Sequence, residues 1–217
     1  MTEPDAAPPD HAPSDESPIV CDPDVLAEAL LRLDREDAAA VRALSRTGCR
    51  QLARAADALA FRTARSVVGQ PGREVTQDFE IADEVPASSA FGAAARQFAA
   101  AVNAALDRLD DPPFDAIVFN DRVVQRYPPT AAGISPHRDH IKYVKLIVNL
   151  AIYGRGRFYV CPDRSGAGAR EIPAEPGDAI LMRGPGYRGS DRRPFHAVGA
   201  VDSDRLVLGL REDGRAG

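Results

Sequence analysis

The chain has no tryptophan, two methionines, three cysteines and four histidines in 217 residues, and only 6% of it is aromatic. Each shortage removes a class of protein. Cys21, Cys49 and Cys161 are odd in number, widely spaced and form no CxxC. That excludes a disulfide framework or a zinc ribbon and predicts reduced thiols in a cytoplasmic setting. No apolar run approaches the roughly 20 residues of a membrane helix, and no basic-then-apolar signal opens the chain, so no membrane partner is expected.

Basic residues are missing from positions 1–24, which hold seven acidic residues and six prolines. Such a segment cannot bury enough apolar surface to offset its ordering entropy. Residues 1–22 are therefore expected to be a disordered acidic, proline-rich tail, with His11 outside any chemistry. The charge is uneven elsewhere too. Residues 121–217 carry 16 Lys+Arg against 11 Asp+Glu, inside a chain whose formal net charge is −5. A basic C-terminal half suggests an anionic ligand there; a general abundance of arginine explains it equally well.

What is present reads as one domain, long enough to hide roughly 70% of its unfolded surface. From Pro23 to about Ala60 the apolar spacing predicts helices. "FRTARSVVG" and "REVTQDFEIA" read as two strands around "GQPG", and Ser88 or Ser89 caps a helix that "DDPP" stops. After Phe114, eight short apolar runs alternate with turn residues, which predicts an all-β barrel or sandwich fronted by helices. The organisation expected is a helical and strand support or lid region over 23–113 and a β core over 114–217.

The stretch "GISPHRDHIKY" places two of the four histidines around a carboxylate. In a strand, residues i and i+2 face one side, so His137 and Asp139 point together. An isolated HxD is well explained as a surface turn. Here one further histidine, His196, lies in the β region, in "RPFHAVGAV". Two histidines and one carboxylate with open positions are the face of non-haem Fe(II) oxygenases. Nine residues on comes Arg205, in "RLVLGLR". Alternation puts Arg205, Val207, Gly209 and Arg211 on one face and Leu206, Leu208 and Leu210 on the other. If the leucines pack against helices, the arginines look into the barrel, where an unpaired guanidinium demands an anionic partner. A dianion such as 2-oxoglutarate supplies bidentate carboxylates. "KYVKLIVNLAIY" sorts likewise into an apolar face and a face with Tyr143, Lys145, Ile147 and Asn149.

In these residues the chain resembles the Fe(II)/2-oxoglutarate-dependent dioxygenases. The resemblance covers about residues 114–213 and rests on H137-x-D139, His196, Arg205 and "EPGDAILMRG". It implies an α+β fold with a double-stranded β-helix (jelly-roll) core and N-terminal helices packed on one sheet. It also implies Fe(II) at His137, Asp139 and His196, 2-oxoglutarate at Arg205, and O2 as the oxidant. Within the superfamily the AlkB-like branch is the most similar: "VQRYPPTAAGISPHRD" matches its polar-x-Tyr pattern before HxD, which brings Tyr127 and Gln125 to the co-substrate. Arg211 matches its second arginine, and Asn149 joins the same inner face.

The resemblance implies an oxygenase that forms succinate and CO2, and the reading favoured for its substrate is hydroxylation of a small molecule, with an anionic one the option that the basic loop offers. Lys145, Tyr187, Arg183 and Arg188 are the expected substrate contacts, the last three in the basic loop "RGPGYRGSDRR". The alternative is AlkB-type oxidative demethylation of alkylated nucleic acid. It is less favoured, because the chain lacks tryptophan, departs from that branch at Gln125, Val207 and Gly209, and has no matching nucleotide-recognition lid in residues 1–113. A third reading is a metal-free β-barrel binding module.

Overall fold

The computed structural model describes residues 17–216. Helix α1 (Pro23–Glu36) starts where the Asp22 side chain accepts from Asp24 N–H and proline takes the first helical position, and it ends at Asp37 in the left-handed region. Helices α2 (Arg46–Ala55) and α3 (Ala90–Leu106) are each capped by a serine, Ser45 and Ser89, whose Oγ accepts a backbone N–H three residues on. Residues 17–22, expected within the tail, belong to the fold. Val20 N–H donates to Ala43 O, Ser45 N–H donates to Pro18 O, and Ile19 packs on the core. Residues 1–16 lie outside the described residues.

One expected helix is a strand. Ala38–Arg42 (β1) follows α1 directly and pairs with β11 (Asp178–Arg183) along its whole length. Three of its five residues are alanines, which by themselves favour helix, so pairing with the neighbouring sheet edge overrides the local preference. The two strands expected around "GQPG" are four short ones: β2 (Arg62–Thr63), β3 (Val67–Val68), β4 (Val75–Asp78) and β5 (Glu80–Ala82). The eight C-terminal strands all form: β6 (Asp121–Tyr127), β7 (Gly133–His137), β8 (Tyr143–Tyr153), β9 (Gly156–Cys161), β10 (Arg170–Ile172), β11, β12 (Phe195–Val201) and β13 (Arg205–Asp213).

They make two facing antiparallel sheets, the jelly-roll arrangement. One has the order β1-β11-β8-β13-β6-β5-β2 and the other β10-β9-β12-β7-β4-β3. Strands from before residue 114 extend both sheets, so the helical and strand region and the β core share their hydrogen bonding. Two apolar layers result. The outer one joins Leu30 and Leu33 of α1 and Phe91 and Phe98 of α3 to the larger sheet, through Leu146, Val148 and Leu150 of β8 and Leu206, Leu208 and Leu210 of β13. The inner layer lies between the sheets and includes Phe79, Tyr127, Ile134, Ile147, Phe158, Met182 and Val198. The leucine face of β13 thus packs on the helices, and its arginine face turns inward as expected.

Candidate active site

Strand β7 brings His137 to one end of the inner layer, and β12 runs beside it with His196 directly opposite His137. The two rings lie 4.2 Å apart, centroid to centroid. The approach depends on Gly133 at φ +81°, where an added Cβ would stand 2.0 Å from Val198 O. Asp139 follows just past the strand end, with Oδ2 3.4 Å from His196 Nε2. The three residues singled out in the sequence therefore converge.

Their chemistry suits a cation. His137 Nδ1 is 2.9 Å from Ser135 O and His196 Nδ1 is 3.4 Å from Pro194 O. A backbone carbonyl can only accept, so the proton sits on Nδ1 and each Nε2 keeps a free lone pair. Burial, with the neighbouring His137, pushes His196 down to about 4, so it is neutral, as a metal ligand must be. Burial alone would raise the Asp139 carboxyl. Arg211, the foremost neighbour favouring its charge, acts against burial, and the group is held below its ordinary range, ionised. Two donors about 2.1 Å from one ion and about 90–110° apart are separated by about 3.0–3.4 Å; the His196–Asp139 spacing agrees. Among the described residues no three donors close into a metal cage as they stand. Asp139 divides its oxygens between His196 and Arg211, whose Nε is 3.4 Å from Oδ1.

From this end a cavity runs between the sheets, with about 370 Å³ of space not filled by protein atoms, part of it open to solvent. It is lined by both histidines and by Gln125, Tyr127, Asn149, Arg205 and Arg211, all five residues expected to hold a co-substrate. Arg205 is 4% exposed. Its guanidinium lies 4.9 Å from the centre of the Tyr127 ring, and among the described residues no carboxylate pairs with it. Burial lowers its pKa, with Tyr127 acting in the opposite direction. Gly156 makes the room, since a Cβ there would meet Arg205 Cδ at 2.8 Å.

The fold matches solved structures over most of its length. A prolyl hydroxylase from Trichoplax adhaerens, in complex with a hypoxia inducible factor peptide, is 14% identical with a TM-score of 0.61, over 89% of this chain and 91% of that one. OsALKBH1 is 14% identical with a TM-score of 0.62, over 82% and 99%. A 2OG-Fe(II) oxygenase family protein from Burkholderia pseudomallei is 13% identical with a TM-score of 0.58, over 86% and 89%. The chain shares the fold of these three structures. No family model and no curated protein matches the chain.

Within that fold the expected substrate contacts separate. Tyr187 is fully buried in the outer layer, edge-on to Phe114, and its hydroxyl donates to Leu30 O of α1. It anchors a helix and does not line the cavity. Arg188 is held by Asp34 and Asp111. Lys145 breaks the alternation of β8: its φ is +62°, the register with β13 shifts nearby, and its Nζ donates to Ala116 O and Glu212. The bulge turns it to an outer cleft. Arg183 is buried and lines a recess with Asp139 and His196. His140 is exposed, and its Nδ1 accepts from Lys142 N–H.

Sequence reasoning misses Phe158, which stacks on His196 at 5.6 Å, and the apolar lining from Ile134 and Val198. Alternation in "GRFYV" is visible in the chain. Which of its faces looks inward depends on the pairing of β9 with β12.

Proposed function

We propose that this protein is an Fe(II)/2-oxoglutarate-dependent oxygenase. The observation that carries the reading is a buried guanidinium, Arg205, without a carboxylate partner among the described residues, in a cavity that also holds His137 and His196. A buried cation with no counter-charge is costly. A keto-diacid reaching from Arg205 to the histidines supplies one.

His137, Asp139 and His196 would hold the iron, and Arg205 the far carboxylate of 2-oxoglutarate. Bound there, iron and co-substrate supply an O2-dependent oxidation of a C–H bond that yields succinate and CO2. The chain's own residues do the rest. Ser135 O and Pro194 O fix the imidazole orientations. Gln125 and Asn149 offer amide groups along the co-substrate, and Tyr127 supports Arg205. Ile134, Phe158, Val198 and Val207 keep water from the reacting end.

The substrate we favour is a small molecule. Nucleic acid needs cations free for phosphates. Arg188 and Arg192 of the basic loop are ion-paired to Asp34, Asp111 and Asp37, and Tyr187 is buried. The likeness to OsALKBH1 keeps oxidative demethylation as the second reading. The experiment is anaerobic addition of Fe(II) and 2-oxoglutarate. A visible metal-to-ligand charge-transfer band is expected in the wild type and should vanish in His137→Ala and Asp139→Ala. A featureless wild-type spectrum would leave the metal-free binding module as the better account. Succinate release coupled to methylated oligonucleotides, and to no metabolite, would favour demethylation instead.

A further inference from the structure

Strand β12 presents two faces where it begins. His196 lines the inner cavity, and Phe195, one residue earlier, lines a groove on the outer surface. The groove holds about 540 Å³ of space not filled by protein atoms, part of it open to solvent, and shares no lining residue with the Arg205 cavity. Pro162, Pro194 and Phe195 give it an apolar wall. The guanidiniums of Arg138 and Arg193 also line it, and among the described residues neither pairs with a carboxylate.

Both are held by contacts that leave most of their N–H groups free. Arg138 is exposed, and its guanidinium lies 4.1 Å from the centre of the Phe195 ring. Among the described residues its N–H groups meet no protein acceptor. Arg193 is half-buried and makes one hydrogen bond there, from Nη1 to the backbone oxygen of Asp139 at 2.7 Å. A guanidinium already fixed loses less side-chain freedom when an anion binds, and its fork favours two-point contact with a carboxylate. The other charged groups of the groove choose the kind of anion. Arg192 is neutralised by Asp37, and Asp191 is exposed with no cationic partner among the described residues. A polyanion would set successive phosphates against these aspartates as well as on the arginines. A peptide presents carboxylates at discrete places with apolar side chains beside them, which suits two arginines next to a proline–phenylalanine wall.

We propose that this groove docks an acidic peptide segment of a partner protein, one in which an aspartate or glutamate adjoins an apolar side chain. The inference is independent of the oxygenase reading. A segment bound there lies at the end of the sheet where His137 and His196 meet, on its outer side.

The test is fluorescence anisotropy of the full chain with labelled nonapeptides in a glycine–serine background. Each carries two glutamates at varied spacing and a leucine beside one of them, and each is compared with its glutamine counterpart. At least one acidic peptide should bind about tenfold more tightly than its glutamine form, the order expected of one charge-assisted contact, and should weaken as salt is raised. Arg138→Gln and Arg193→Gln should each remove the preference. Arg157→Gln, whose arginine pairs with Glu171 outside the groove, should keep it. Equal binding of every acidic peptide and its glutamine form, or a preference that survives both groove substitutions, overturns the proposal. So does a short single-stranded oligonucleotide that binds through Arg138 more tightly than any peptide. Displacement of the peptide by an equal concentration of acetate would also overturn it, by marking a simple anion site. Should Arg193→Gln not fold, the exposed Arg138→Gln decides alone.

Discussion

A guanidinium at 4% exposure, with no carboxylate beside it among the described residues, costs the ligand-free chain desolvation energy, which Tyr127 offsets in part. Arg205 is therefore expected to trade stability for binding. Replacing it with methionine, similar in length and uncharged, should leave the melting temperature of the ligand-free protein unchanged or raised. The same substitution should weaken 2-oxoglutarate at least tenfold, since hydrogen bonds to a charged group are each worth about 1.5–3 kcal/mol. A destabilised variant that binds 2-oxoglutarate normally would contradict both halves. The residues of the His137, Asp139 and His196 cluster obey the same logic. Asp139 stays ionised despite burial because Arg211 favours its charge. His196 stays neutral because burial and His137 disfavour its own.

Elements position these side chains, and some residues that looked functional serve the elements instead. Tyr187 ties the loop after β11 to the middle of α1 through a hydrogen bond to Leu30 O. Tyr187→Phe is expected to cost about 1 kcal/mol of stability, read as a lowered denaturant midpoint, and to leave 2-oxoglutarate affinity unchanged. A loss of affinity without a loss of stability would restore Tyr187 to the site. Lys145 shows how one bulge redirects a side chain: strict alternation sends it inward, and its left-handed backbone turns it to Glu212. At Gly133 the constraint is the neighbouring strand. Gly133→Ala should disrupt the pairing of β7 with β12 and destabilise the fold by several kcal/mol, because its Cβ would lie on a backbone oxygen at a positive φ.

For the whole molecule, the two sheets hold the His137–His196 end and the Arg205 end of one cavity at a fixed separation. A ligand spanning both ends should stabilise everything that closes around it. With 2-oxoglutarate and an inert divalent metal at about a hundredfold excess over Kd, the linkage is about 2.7 kcal/mol. For a chain of this size that is roughly 5–10 °C in melting temperature. Arg205→Met should show little of this shift, and a wild-type protein without any shift would argue against a spanning ligand.

The β core, the inward face of β13 and the grouping of His137, Asp139 and His196 are legible in the chain before any folding is considered. Strand alternation and the scarcity of histidine leave few other ways to arrange them. The serine cap of α3 is legible too, because a capping hydroxyl acts within one turn. Packing in three dimensions was needed to make Ala38–Arg42 a strand, to take Lys145 off the inner face and to turn Tyr187 into a core anchor. The same packing separates the paired arginines of the basic loop from Arg183 and Arg193. The physical reason is range. Alternation and capping act between neighbours in the chain, whereas sheet-edge pairing, bulges and charge partners depend on residues brought together from up to 157 positions away.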